Sequence, residues 1–348
     1  MTTSPAAPSP PASPDSAPRD DAPPAHEPLD IAAPWGGHSR TVDLDGPVHW
    51  VEFTAPEGAS PAADGRDGTP LVLVHGLGGS VLNWVAIGPA LARGRRVVAL
   101  DLPGFGLSPA HGRSTDVNHN AALLSRFVHQ VVGGPAVLVG NSMGGMVSLL
   151  LADRRPEQVA GLALIDPALP NPVARPDPQV AATFAMYAVP RVGEAVLTRY
   201  NSRLTDRQRV LATVELCLDD PTRADPAVID AMVELSRWRR TLPDPEGDFL
   251  GAARSLLRVL RGRRDYDRVI AEVDRPVLLV HGTRDRLVPV SAARRAARVN
   301  PRWQTAYLDG AGHTPQLEVP EDVLGHLEPW LVSVDVSVDA SGDEDARV

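Results

Sequence analysis

The chain has no lysine and a single cysteine, Cys217, among 348 residues. One thiol cannot form an intrachain disulfide, so a reducing, cytoplasmic setting is the simplest expectation. With lysine missing, arginine supplies every positive charge apart from histidine, which reads as composition bias rather than function. There is no positive excess either. The net charge of −9 argues against a nucleic-acid partner, which calls for a basic surface. No apolar run approaches the ~20 residues needed to cross a bilayer, so no stable membrane insertion is expected. The first ~30 residues lack the charged start and apolar core of a secretory signal. They are rich in Pro, Ala and Ser without apolar periodicity, and a disordered tail over residues 1–38 is expected. A second, acidic tail is expected over 333–348, around Asp343, Glu344 and Asp345.

What is present suits one large domain with an insertion, since 43% of the residues are hydrophobic. Short β-rich runs at 49–54, 71–75, 97–101, 136–140, 162–166, 277–281 and 305–308 alternate with helical segments. That alternation predicts a mostly parallel sheet covered on both faces. The alternation breaks between Asp166 and Val277. Segments 180–187, 194–200, 206–218, 226–238 and 249–260 there read as helices, which predicts a helical cap over 167–271 between core segments 39–166 and 272–332. In such sheets ligands bind beyond the carboxyl ends of the strands. His75, Asp101, Ser142, Asp166 and Asp285 all fall at or just after those ends.

The run Gly140-Asn141-Ser142-Met143-Gly144 stands between an apolar strand, Ala136 to Val139, and an apolar helix from Met146. A G-x-S-x-G at a strand-to-helix turn is a nucleophile elbow. Glycines leave room for a tight turn, and the helix N-terminus favours developing negative charge. A serine needs a base, and the base needs an orienting carboxylate. In this architecture the chain order is Ser, acid, His. Asp285, in the loop after the strand ending at His281, and His313, in Gly310-Ala311-Gly312-His313, complete that order. The oxyanion donors are expected to be the N–H groups of Met143 and of Leu77, in the loop His75-Gly76-Leu77-Gly78-Gly79. Losing one such donor typically costs about 3 kcal/mol of transition-state stabilisation.

Together, His75-Gly76, the run Asp101 to Ser108, the elbow, Asp285 with Val288-Pro289, and Gly312-His313 resemble the α/β-hydrolase superfamily, in its serine-nucleophile branch with a helical cap. The resemblance spans residues 40–332 and is weakest in the cap. It implies an α/β-hydrolase fold with a mostly parallel eight-stranded sheet, and no cofactor or metal. A member with an aspartate nucleophile would be an epoxide hydrolase or a haloalkane dehalogenase, and Ser142 argues against both. The first expectation is cleavage of a carboxylic ester of a small or medium hydrophobic molecule. A C–C bond hydrolase of the meta-cleavage type, a cofactor-free haloperoxidase or perhydrolase, and a ligand-binding receptor of the same fold stay open. Against the C–C reading stand Thr314 after His313, where those enzymes usually carry tryptophan, and the loop Gly76-Leu77-Gly78-Gly79-Ser80, where theirs is typically longer and contains proline. A cap arginine would also be needed to hold the substrate carboxylate, and the sequence does not single one out.

Gly76, Gly78, Trp84, Phe184 and Tyr187 are candidate wall residues of an apolar pocket, although most large apolar side chains there suit ordinary packing equally. Asp166 occupies an alternative strand end for the acid. His75 and His281 read as structural, and Asp101 as the organiser of its loop. Ser108 and Ser148 read as packing or surface residues, and Cys217 as a buried packing residue. The basic stretch Arg254 to Arg264 reads as a solvated helix face. A homodimer stays open.

Overall fold

The computed structural model describes residues 29–56, 58, 68–171 and 177–345, with side chains to residue 338. Its strands are β1 (Gly37–Asp43), β2 (Pro47–Phe53), β3 (Gly68–Val74), β4 (Arg95–Leu100), β5 (Ala136–Asn141), β6 (Val159–Ile165), β7 (Val277–Gly282) and β8 (Gln304–Leu308). They form one eight-stranded sheet in the order β1-β2-β4-β3-β5-β6-β7-β8. β1–β2 and β2–β4 pair antiparallel, and every other neighbouring pair is parallel. β5 is buried along its whole length. This explains its uninterrupted apolar run, since a strand covered on both faces has no solvent side to alternate with. Val137 and Val139 face one apolar layer and Leu138 the other.

The helices are α1 (Gly88–Leu91), α2 (Val117–Phe127), α3 (Met143–Arg154), α4 (Pro178–Tyr187), α5 (Val192–Asn201), α6 (Asp206–Cys217), α7 (Pro226–Arg239), α8 (Pro245–Arg261), α9 (Arg263–Glu272), α10 (Val290–Val299), α11 (Pro315–Glu318) and α12 (Pro320–Asp345). Five of them, α4 to α8, form the insertion between β6 and β7. Acid–proline pairs start three of these helices. The carboxylates of Asp177, Asp225 and Asp244 accept first-turn N–H groups while Pro178, Pro226 and Pro245 take the first helical position. Thr205 and Gln208 start α6 with a reciprocal capping box. Among the described residues no single helix is long and apolar enough to cross a membrane.

Three expected boundaries move. Ile31 and Ala32 are buried and β1 opens at Gly37, so the ordered chain starts inside the stretch expected as a tail; residues 1–28 lie outside the described residues. At the other end, α12 continues through residues 333–345 instead of giving way to a tail at 333. Trp330, Leu331 and Val334 lie on one buried helical face. Asp335 then accepts from Arg95 at 2.9 Å and from the Thr69 N–H at 2.9 Å, tying α12 to β3 and β4. Finally, α9 packs with the core instead of the cap. Val269 and Ile270 join the cluster beneath α3, and the Tyr266 hydroxyl donates to the Ala168 carbonyl at 3.1 Å.

Candidate active site

Five loops meet at the carboxyl edge of the sheet. At the end of β5, Ser142 adopts φ 55° and ψ −117°, a left-handed conformation costly for a residue with a Cβ. The glycines around it are required by contact. A Cβ on Gly144 would sit 2.0 Å from the Val74 carbonyl oxygen, and one on Gly140 would sit 2.6 Å from the Gly145 nitrogen. The elbow is therefore pressed onto β3, and the first N–H groups of α3, Met143 included, open toward the serine. Gly144→Ala is expected to destabilise by about 1–3 kcal/mol or more through backbone overpacking. Calorimetry reads this as a lower Tm, and an unchanged Tm would show that the elbow relaxes around the methyl group.

The loop after β3 carries Leu77, whose N–H is expected as the second donor. Gly79 N–H donates to the Gly76 carbonyl at 3.1 Å, and Gly78 has φ 76°. That is a tight turn with glycine at its positive-φ position, which leaves Leu77 N–H at the turn's outer corner. A Cβ on Gly76 would lie 2.9 Å from Ser142 Cβ, so Leu77 stands beside the nucleophile. His75 braces the loop from below. It accepts from Leu102 N–H at Nε2 (3.0 Å) and donates from Nδ1 to the Gly76 carbonyl (2.7 Å). Burial lowers its pKa, so it stays neutral. Asp101 takes the N–H groups of Val81 and Leu107 and the Nδ1 of His49 at 2.7–2.8 Å. Burial works to raise its pKa, but these contacts, led by His49, overcome that and leave it low. Both side chains organise loops.

Asp285 and His313 meet, with His313 Nδ1 2.7 Å from Asp285 Oδ2. The other oxygen of Asp285 accepts the N–H groups of Leu287 and Val288 at 2.8 and 2.9 Å. Burial favours a neutral Asp285, but His313 and the further partners outweigh it and keep the carboxyl below its ordinary pKa. The His313 loop is stitched to its neighbours: Arg284 N–H donates to the Ala311 carbonyl and Gly310 N–H to Thr283 Oγ1. Asn141, next to Ser142, donates to the His313 carbonyl at 3.0 Å, which places the base loop over the elbow. From the cap, the Cys217 carbonyl accepts His313 N–H at 2.5 Å. Cys217 is thus a backbone anchor for this loop, and burial pushes its thiol up to about 12.

Glu318 was not singled out from the sequence. Its buried carboxylate accepts N–H groups from Gly312 (2.7 Å) and from the cap residues Asp219 (3.2 Å) and Asp220 (2.9 Å). No sequence signal marks it, because two of its partners lie 99 and 98 residues away.

The pocket candidates divide. Phe249 from α8 would touch a Cβ on Gly78 at 3.3 Å, stacks edge-on with Tyr187 at 5.6 Å, and Tyr187 stacks likewise with Phe184 at 6.0 Å. An aromatic wall of Phe184, Tyr187 and Phe249 therefore stands over the Gly76–Gly79 loop, and burial raises the Tyr187 pKa. Phe249 was missed among the wall residues, although its place in a helical segment was readable. Trp84 does not line the pocket: it is fully buried in the core layer with Val81, Leu82 and Ile87. Ser108 and Ser148 are hydrogen-bonded packing residues, to His49 N–H and the Gly144 carbonyl. Within the basic stretch, Arg254 is not merely solvated. It bridges α8 to α5 and α4 through Glu194 and the Tyr187 carbonyl.

Asp166, His281 and Asp285 lie close enough to hold a cation, with one donor atom from each within 4.8 Å of the others. Two of the three are already engaged, with Asp285 bound to His313 and His281 Nε2–H to the Val288 carbonyl at 2.8 Å. A pocket of about 180 Å³ between Val85, Val228, Met232 and Leu317 lies apart from Ser142, Asp285 and His313.

Comparison with known proteins gives relatives in sequence and in fold. A pimeloyl-[acyl-carrier protein] methyl ester esterase from Aromatoleum aromaticum is 32% identical over 74% of this chain and 96% of its own length. The dihydrolipoyllysine-residue acetyltransferase component of an acetoin cleaving system from Pseudomonas putida is 31% identical over 77% of this chain, which spans only 64% of that protein. A 2-hydroxymuconate semialdehyde hydrolase from a Pseudomonas species is 29% identical over 79% of this chain and 90% of its own length. Among solved structures, an esterase from Thermogutta terrifontis superposes with a TM-score of 0.62 at 24% identity, covering 86% of this chain and 99% of that one, a likeness of fold. The profile of the alpha/beta hydrolase fold matches residues 69–320, and the chain belongs to that family.

Proposed function

We propose that this protein is a serine hydrolase that cleaves a carboxylic ester of a small or medium hydrophobic molecule. The observation that carries the reading is the Asp285–His313 contact of 2.7 Å in a loop held over the strained Ser142 elbow. His313, oriented through Nδ1, takes the proton of Ser142 as its Oγ attacks the ester carbonyl. The oxyanion forms against the N–H groups of Leu77 and Met143. His313 returns the proton to the leaving alcohol, and the acyl group stays on Ser142. A water, deprotonated by the same imidazole, then releases the acid. The wall of Phe184, Tyr187 and Phe249 favours an apolar acyl or alkyl group. The esterase among the relatives supports ester cleavage.

One relative acts on a muconate semialdehyde, which keeps C–C bond hydrolysis as the second reading. That chemistry calls for a cap arginine to hold a substrate carboxylate. Arg239 on α7 reaches toward the core, but its guanidinium is spent on the carbonyls of Gly104 and Gly106. A panel of p-nitrophenyl esters of increasing chain length, set beside a ring-fission dienoate, separates the two. The expected result is ester turnover, highest for short and medium acyl chains, with the dienoate chromophore unchanged. Loss of that chromophore without ester turnover overturns the ester reading.

A further inference from the structure

Behind the proposed triad lies a buried acid for which the reaction has no use. Asp166, just after β6, is fully buried and has φ 43°, a backbone state that costs about 1–3 kcal/mol and persists only where its surroundings enforce it. Its Oδ1 accepts Gly282 N–H at 2.9 Å. Its Oδ2 meets no donor among the described residues. A carboxylate oxygen of Asp166 lies within 4.8 Å of one of Asp285, and His281 Nε2 stands 3.4 Å from Asp166 and 3.6 Å from Asp285.

His281 supplies no charge to offset the acids. It donates its Nε2–H to the Val288 carbonyl, its Nδ1 has no partner, and burial lowers its pKa. Glu318 adds a further negative charge nearby, and the Cys217 thiol beside Asp285 is held neutral. Among the described residues, His313 is the further titratable group in contact with Asp285. Two carboxylates buried side by side cannot both ionise without a large penalty, so one keeps a proton. Asp285 already accepts three donors and Asp166 only one, so the proton belongs on Asp166. Placing it there turns the orphaned Oδ2 into a donor, with the Asp285 carboxylate as the neighbouring acceptor. Burial first, and the Asp285 charge second, hold Asp166 well above the ordinary carboxylate range.

We propose that Asp166 is a protonated positioning residue whose carboxyl O–H donates to the Asp285 carboxylate and holds it toward His313. The inference rests on the Ser142–His313–Asp285 reading for its catalytic consequence, but the proton itself can be observed without any substrate. A raised native pKa means the folded protein binds more protons than the unfolded chain between the two pKa values. The stability due to Asp166 is therefore full below the ordinary carboxylate range and is lost as pH rises above it. An asparagine in its place does not titrate, so the Tm of Asp166→Asn minus that of wild type must widen with pH.

The test is infrared spectroscopy of the full chain at neutral pH, with 13C-aspartate labelling to assign the band. The expected result is the carbonyl stretch of a protonated aspartic acid in wild type and its absence in Asp166→Asn. A wild-type spectrum without that band, or a band that survives the substitution, overturns the proposal. Should Asp166→Asn not fold, the labelled wild-type spectrum alone decides. In the folded variant the Tm of Asp166→Asn minus that of wild type should increase as pH rises above the ordinary carboxylate range, and a constant difference counts against the proposal. On an ester substrate, Asp166→Ala should lose about 10–100-fold in kcat, as for a hydrogen bond to a charged group, with KM little changed. Asp166→Asn keeps a donor and should recover most of that loss. Equal losses in both variants would mean that the proton is not what Asp166 contributes.

Discussion

Replacing Ser142 with alanine is expected to lower kcat on every ester substrate by about six orders of magnitude, the loss seen when a triad serine is removed. The argument starts from the backbone. The φ of 55° at Ser142 is enforced by the contact of Gly144 with the carbonyls of Val74 and His75, so the elbow keeps its shape without the hydroxyl. Only the nucleophile is lost, while Leu77, Met143 and His313 stay in place. The residual rate then reports what the oxyanion donors and binding achieve alone, about 10³–10⁴-fold over water in comparable sites. Intact-mass measurement with a fluorophosphonate checks the same point without a substrate. Wild type should gain one adduct and Ser142→Ala none. An adduct on the variant, or an unreactive folded wild type, would remove Ser142 from the reaction and favour a binding role for the fold.

Asp285→Asn is expected to lower kcat by about 10⁴-fold at neutral pH. The two N–H bonds to Oδ1, from Leu287 and Val288, can survive in the amide. The acceptor for His313 Nδ1 cannot also remain charged, so the imidazole loses both its orientation and the counter-charge it needs when protonated. The contact between Asp285 and Asp166 sharpens the outcome. With Asp285 neutral, Asp166 loses the negative neighbour that helps keep it protonated and becomes an acid placed to replace it. A fall of less than tenfold would therefore move the orienting charge to Asp166. Kinetics of Asp285→Asn and of the Asp166→Asn/Asp285→Asn double variant distinguish the two, since only the double variant then loses the remaining activity.

The proposed catalytic residues were legible because each sits in a local motif. The elbow needs only a strand, two close-approach glycines and a helix, all within residues 136–151. Asp285 and His313 follow strands whose apolar runs mark their ends. The chain order then pairs them before any distance is known. The acid–proline pairs that start α4, α7 and α8 are equally local, because capping is satisfied within one turn. The limits of the ordered chain were harder to read. A valine- and serine-rich stretch such as residues 331–338 has no strong helical periodicity of its own, and the contacts of Asp335 with Arg95 and Thr69 show where it docks.

By itself the sequence determined the fold class, the Ser–Asp–His order and the two loops flanking the nucleophile, because these depend on local backbone geometry and apolar periodicity. Only the tertiary structure decided that Trp84 lies in the core, that Phe249 stands over the Gly76–Gly79 loop, that α9 packs beneath α3, and that Glu318 joins the cap to the His313 loop. It alone placed Asp166 against Asp285 across 119 positions of chain. The physical reason is register. Parallel pairing of β6 with β7 aligns Ile165 with Val280 and so brings the two strand ends together. No local pattern in either strand records which residues its neighbour will present.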